Sequence, residues 1–136
     1  MSHWYLLDED RKPYPVEMFK ATKAMEERTR VHKLTGTDPW AVGKDKVSLG
    51  VTYAGEHLGV RYGRTETVVH VSTVFLSLDH AYHVGTEKGP PLLFETMVFG
   101  LPDGGEYQER YSTWEEAEAG HKETVRRLKT GESLDG

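Results

Sequence analysis

Two stretches of the chain carry the clearest hydrophobic pattern. Residues 67–78 and 92–99 are rich in Val, Thr, Leu and Phe, a composition that suits extended chain better than helix, and they are predicted to pair as antiparallel strands. Placing Leu78 opposite Leu92 gathers Val74, Leu76, Leu78, Leu92, Phe94 and Val98, with His70, on a core face. The other face then carries Val71, Thr73, Phe75, Ser77, Leu93, Glu95, Met97 and Phe99, and a slip of one residue inverts the assignment. Near the start, the short apolar run at 3–7 ends in Asp8-Glu9-Asp10-Arg11, which reads as a strand closed by a charged turn. Pro13 and Pro15 then prepare a helix over 16–28, where Met18, Ala21, Thr22 and Met25 form one stripe.

From Arg30 to Gly63 the signals shorten to strand-like pieces at 31–35, 46–53 and 57–62, with a hairpin link at Ala54-Gly55-Glu56. Trp40 is assigned to the core, since large aromatic side chains are mostly buried. A further strand at 106–111 follows the Pro102-Asp103-Gly104-Gly105 turn. The last helix, 113–129, has the best-defined start: Thr113 with Glu116 three residues later forms a capping box, and the early glutamates and late Lys and Arg residues complement the helix dipole. Trp114, Ala117, His121, Val125 and Leu128 form its inward stripe. The predicted fold is α+β, a mostly antiparallel five- or six-stranded sheet covered by two helices. It occupies residues 1–136 as one domain, with a short flexible tail from about 130.

Charge and composition narrow the function classes. A net charge of −5 with interspersed signs argues against a nucleic-acid partner, and the absence of Cys removes disulfides and thiolate metal sites. The lack of Ile and Asn, with Gln108 the single Gln, fits the codon bias of a GC-rich genome. No run is long and apolar enough for a membrane span, and no basic-then-apolar leader opens the chain, so a cytoplasmic protein is expected.

The residues that look chemically assembled are Asp79, His80, His83, Glu95 and His121. Asp79, His80 and His83 share a loop in which a carboxylate and two imidazoles could hold a divalent metal or position a general base, although Asp at a strand end more often ties a turn. Glu95 interrupts an apolar strand, so its carboxylate needs a cationic or hydrogen-bonding partner or a solvated face. His121 and His70 read first as hydrogen-bonded core rings. The chain lacks a phosphate-binding Gly loop and a Gly-x-Ser-x-Gly elbow. No cofactor and no resident metal are expected.

Three segments carry a family likeness. Val71-Ser72-Thr73-Val74-Phe75-Leu76 leading to Leu78-Asp79-His80, then residues 91–100 with Leu-Leu-Phe-Glu-Thr-Met-Val-Phe-Gly, then residues 110–121 with Arg-Tyr-Ser-Thr-Trp-Glu-Glu-Ala-Glu-Ala-Gly-His, resemble small proteins encoded in tailed-bacteriophage genomes. The resemblance covers residues 67–125 and leaves 30–66 outside it. It implies a phage source and no particular reaction. The leading expectation is therefore a non-enzymatic phage accessory protein that binds a host protein or a small-molecule ligand in the host cytoplasm, with oligomerisation open. The rivals are a small, metal-assisted hydrolase built from the five candidate residues and a minor virion or assembly protein.

Overall fold

A computed structural model describes residues 3–79 and 89–134. The chain begins with β1 (Trp4–Leu7), β2 (Pro13–Val16) and α1 (Met18–Thr35), continues through a long hairpin of β3 (Ala41–His57) and β4 (Val60–Phe75), and ends with β5 (Phe94–Phe99), β6 (Tyr107–Tyr111) and α2 (Trp114–Thr130). The class is α+β, as expected. The six strands among the described residues divide into two antiparallel sheets, β1-β2 and β3-β4-β5-β6, in place of the single sheet of five or six strands expected. The small sheet joins the large one at the exit of β4, where the Tyr5 N–H donates to the Ser77 carbonyl at 2.7 Å and the Asp79 N–H to the His3 carbonyl at 2.8 Å, and Tyr5 and Leu7 pack against the cluster around Phe75 and Phe94.

Several boundaries differ from the sequence reading, each for a local reason. Pro13 and Pro15 lie in a strand; being two residues apart they leave the ladder donors of β2 to Tyr14 and Val16. The Asp8 carboxylate closes the β1-β2 turn by accepting from the N–H groups of Asp10 and Lys12 at 2.8 and 2.9 Å. Helix α1 runs on through 31–35, which is not a strand: the Thr29 and Thr35 hydroxyls donate to carbonyls four residues back, and Gly36 caps the helix at φ 75°. Arg28 of α1 grips the buried Asp38 carboxylate with two hydrogen bonds of 2.8 and 2.6 Å and stacks over Trp40 at 4.7 Å. Trp40 in turn packs edge-on against Phe75, with ring centroids 5.3 Å apart.

The β3-β4 turn is Leu58-Gly59, both at positive φ (51° and 78°) as a two-residue hairpin turn requires, and not Ala54-Gly55-Glu56. Gly55 serves another purpose. The Tyr62 ring lies across it, with Oη 2.4 Å from where a Cβ would stand.

The β4-β5 register is one residue away from the predicted one, pairing Phe75 with Phe94, Val74 with Glu95 and His70 with Phe99. Val69, Val71, Thr73 and Phe75 therefore face α2 together with Phe94, Thr96 and Val98, whereas Val74 and His70 leave the core face. Two apolar clusters lie under α2. One contains Val47, Val69, Val71, Val98 and Leu128, the other Phe75, Leu93, Phe94 and Ala117. The Thr113 hydroxyl caps α2 by accepting from the Glu116 N–H at 3.1 Å, and the Glu116 carboxylate returns to that hydroxyl.

Strands β5 and β6 are far shorter than the hairpin beside them. Residues 48–57 and 60–68 consequently extend beyond the body of the sheet as a two-stranded arm. No helix in the described residues is long and apolar enough to cross a membrane.

Candidate functional site

Between the two apolar clusters runs a layer of hydrogen-bonded polar side chains, one from each element that meets there. His121 of α2 is buried, with Nε2 2.7 Å from Asp45 Oδ2 on β3 and Nδ1 2.7 Å from Thr73 Oγ1 on β4. Thr73 Oγ1 lies 2.5 Å from Thr96 Oγ1 on β5, and Thr96 bonds the Tyr111 phenol of β6. The Asp45 carboxylate can only accept, so His121 Nε2 donates to it. Thr73 Oγ1 is engaged on its two sides by His121 Nδ1 and Thr96 Oγ1, and Tyr111 stands beyond Thr96. Burial pushes the Tyr111 phenol above its ordinary pKa and keeps it protonated, while the hydrogen bond with Thr96 pulls the other way.

Two glycines make room for the layer. A Cβ at Gly43 would stand 2.8 Å from the His121 ring, and one at Gly120 would stand 2.2 Å from Tyr111 Oη. A glycine in mid-strand and another in mid-helix were the sequence signals that could have located this layer, whose members Asp45, Thr73, Thr96 and Tyr111 the sequence reading missed.

Asp45, His121 and Thr73 have the composition of an acid–base–hydroxyl triad. Thr73 is 0% exposed, however, and its hydroxyl is engaged on both sides, so it cannot meet a substrate in this conformation. Glu95 lies on the opposite face of the sheet from His121. It is 8% exposed and satisfied there by Arg110 Nε at 2.9 Å and by the Gln108 amide. Asp79 accepts the Leu92 N–H at 3.0 Å and so ties residue 79 to residue 92. His80 and His83 lie outside the described residues. Among the described residues, no three His, Asp or Glu side chains converge as metal ligands.

A cleft of about 540 Å³ opens between β6 and α2, walled by Tyr107, Glu109, Tyr111, Glu123 and Arg127. Two of its charged residues, Glu123 and Arg127, are paired with each other. Hydrogen bonds from Arg126 and Arg127 hold the Glu123 carboxyl at about 2, and Arg127 also donates to the carbonyls of Ser133 and Leu134.

The sheet face away from α2 is different. Its arm segment carries Val51, Tyr53, Val60 and Tyr62 in the open, Val60 at 66% and Tyr62 at 56% exposure, with the Arg61 guanidinium over the Tyr53 ring at 5.2 Å, while Thr52, Thr65 and Thr67 occupy the other side of the arm. The same face continues onto the body through His70, Ser72 and Phe99, which with Lys44 and Lys46 border a depression of about 380 Å³. No protein family, curated protein or solved structure matches this chain.

Proposed function

We propose that the chain is a non-enzymatic accessory protein of a tailed bacteriophage, acting in the cytoplasm of the infected cell by binding a protein partner through the β3-β4 arm. The observation behind this reading is the arm's amphipathic face. Alternation of apolar and polar residues is the pattern of a strand pair buried on one side, yet Val51, Tyr53, Val60 and Tyr62 are uncovered. A two-stranded ribbon is marginal in water by itself, and a partner laid on that face would remove the exposed apolar surface. The hydrolase reading has less support, because Glu95 and His121 occupy opposite faces and both are already hydrogen-bonded. In the cleft beside α2 the one lining cation among the described residues, Arg127, is already engaged by Glu123 and by the Ser133 and Leu134 carbonyls.

Expression in the host, or phage burst size, supplies the readout. Tyr62→Glu combined with Val60→Glu is expected to abolish the phenotype of the wild-type protein with an unchanged melting curve. Thr65→Glu, on the far side of the arm, is expected to retain it. A full phenotype in the Tyr62/Val60 variant would refute the arm as the binding surface.

A further inference from the structure

The uncovered arm face has a symmetry of its own. Along β4 it presents Val60, Tyr62, Arg64, Glu66, Val68 and His70 in alternation with residues of the other face. Arg64 and Glu66 stand side by side, 3.7 Å apart, at the middle of this row. If a second identical row is laid over the first in the opposite direction, with the two-fold axis at residue 65, Arg64 meets Glu66 of the other copy. By the same rule Tyr62 meets Val68, and Val60 meets the depression beside His70 and Phe99. Opposite charges thus fall together, and so do apolar groups.

We propose that the arm's first partner is a second copy of this chain, docked face to face through a two-fold axis at Arg64 and Glu66. This rests on the reading of the arm as the binding surface. Charge favours this occupant. Residues 48–68 contain Glu56, Arg61, Arg64 and Glu66 and so carry no net charge, whereas the whole chain carries −5. Two copies meeting along this strip therefore meet no net repulsion there, and an isologous contact places the Arg64–Glu66 pairs in duplicate.

The area sets the strength. From Val60 to His70 the row is about 35 Å long at about 3.4 Å per residue, and a two-stranded ribbon with its side chains is about 12 Å wide. That gives about 400 Å² of flat footprint per copy and about 800 Å² for the pair, before side-chain relief is counted. The sum falls below about 1,200 Å², where stable specific interfaces begin, so the dimer is expected to be weak and reversible, with a dissociation constant in the micromolar range.

Analytical ultracentrifugation over a concentration series tests this, with circular dichroism confirming the fold of every variant. The wild type is expected to shift from monomer to dimer across the micromolar range. Arg64→Glu and Glu66→Arg are each expected to be monomeric, since each sets like charges against each other across the axis. The Arg64→Glu/Glu66→Arg double variant is expected to recover the dimer. A wild type that stays monomeric into the high-micromolar range would overturn the proposal, as would a dimer indifferent to the single charge reversals. If the wild type is monomeric and Tyr62→Glu/Val60→Glu still abolishes the phenotype, only self-association fails and the arm remains the surface for another protein. If that variant also keeps the phenotype, both readings fail.

Discussion

Gly120→Ala gives a result opposite to that expected from helix propensity alone. In an open helix, replacing Gly by Ala stabilises by about 1 kcal/mol. At position 120 the new methyl would stand 2.2, 2.3 and 2.5 Å from Oη, Cζ and Cε1 of Tyr111. The ring cannot yield freely, because β6 is paired to β5 at Phe94 and the phenol is bonded to the fully buried Thr96. Displacing it costs about 1–3 kcal/mol in overpacking and about 1–3 kcal/mol for the buried hydrogen bond it leaves. Setting off the propensity gain, the net loss lies between about 1 and 5 kcal/mol and centres near 3 kcal/mol. Urea unfolding followed by circular dichroism would show it as a midpoint lowered by about 1–2 M at an unchanged slope. The companion measurement uses a Tyr111→Ala background, where the clash is gone and Gly120→Ala is expected to stabilise by up to about 1 kcal/mol. An upward midpoint shift on introducing Gly120→Ala into the wild type would refute the packing of Tyr111 over the glycine.

Phe94→Ala, at a fully buried ring packed against Phe75 and Trp114, is expected to cost about 3–5 kcal/mol in the same assay, and a loss below about 1 kcal/mol would contradict the face assignment. Hydrogen bonds from Arg28 hold the Asp38 carboxyl below its ordinary pKa, so the stability it supplies is present above the unfolded value and is lost as pH falls through the lowered folded value; Asp38→Asn is expected to flatten the stability–pH profile below about pH 5. Thr113→Ala is expected to cost about 1 kcal/mol and Glu116→Ala less, because the Glu116 carboxylate meets only the Thr113 hydroxyl; equal losses would show that the carboxylate caps the backbone itself.

What could be read from the sequence was local. The start of α2 was legible because cap, charge order and inward stripe lie within one element, and its hydrogen bonds follow that pattern. The register of β4 against β5 was not, since both faces of each strand offer apolar residues and an apolar count does not place Thr73 and Thr96 inside. The end of α1 was hidden by β-branched Val31 and Thr35, whose strand preference is overridden by hydroxyl bonds along the helix and by the Gly36 cap. Of the candidate site, the ring of His121 was anticipated as a hydrogen-bonded core group. Its partner Asp45 lies 76 residues away and has no pattern linking it to that ring. Glu95 was recognisable as needing a partner, but that this would be Arg110 followed only from the pairing of β5 with β6.

The polar layer acts as a proofreading device for strand alignment. It draws one residue from each of β3, β4, β5, β6 and α2, and each interior member is held by a specific neighbour on either side. Sliding β4 by a single residue against β5 would put Thr73 and Thr96 on opposite faces and break the line at its centre, leaving buried hydroxyls and an imidazole without partners. At about 1–3 kcal/mol for each stranded group, the misaligned sheet is several kcal/mol worse, although its apolar burial would be nearly the same. Hydrophobicity brings these strands together, and the row of hydroxyls decides which of two almost equally greasy alignments survives.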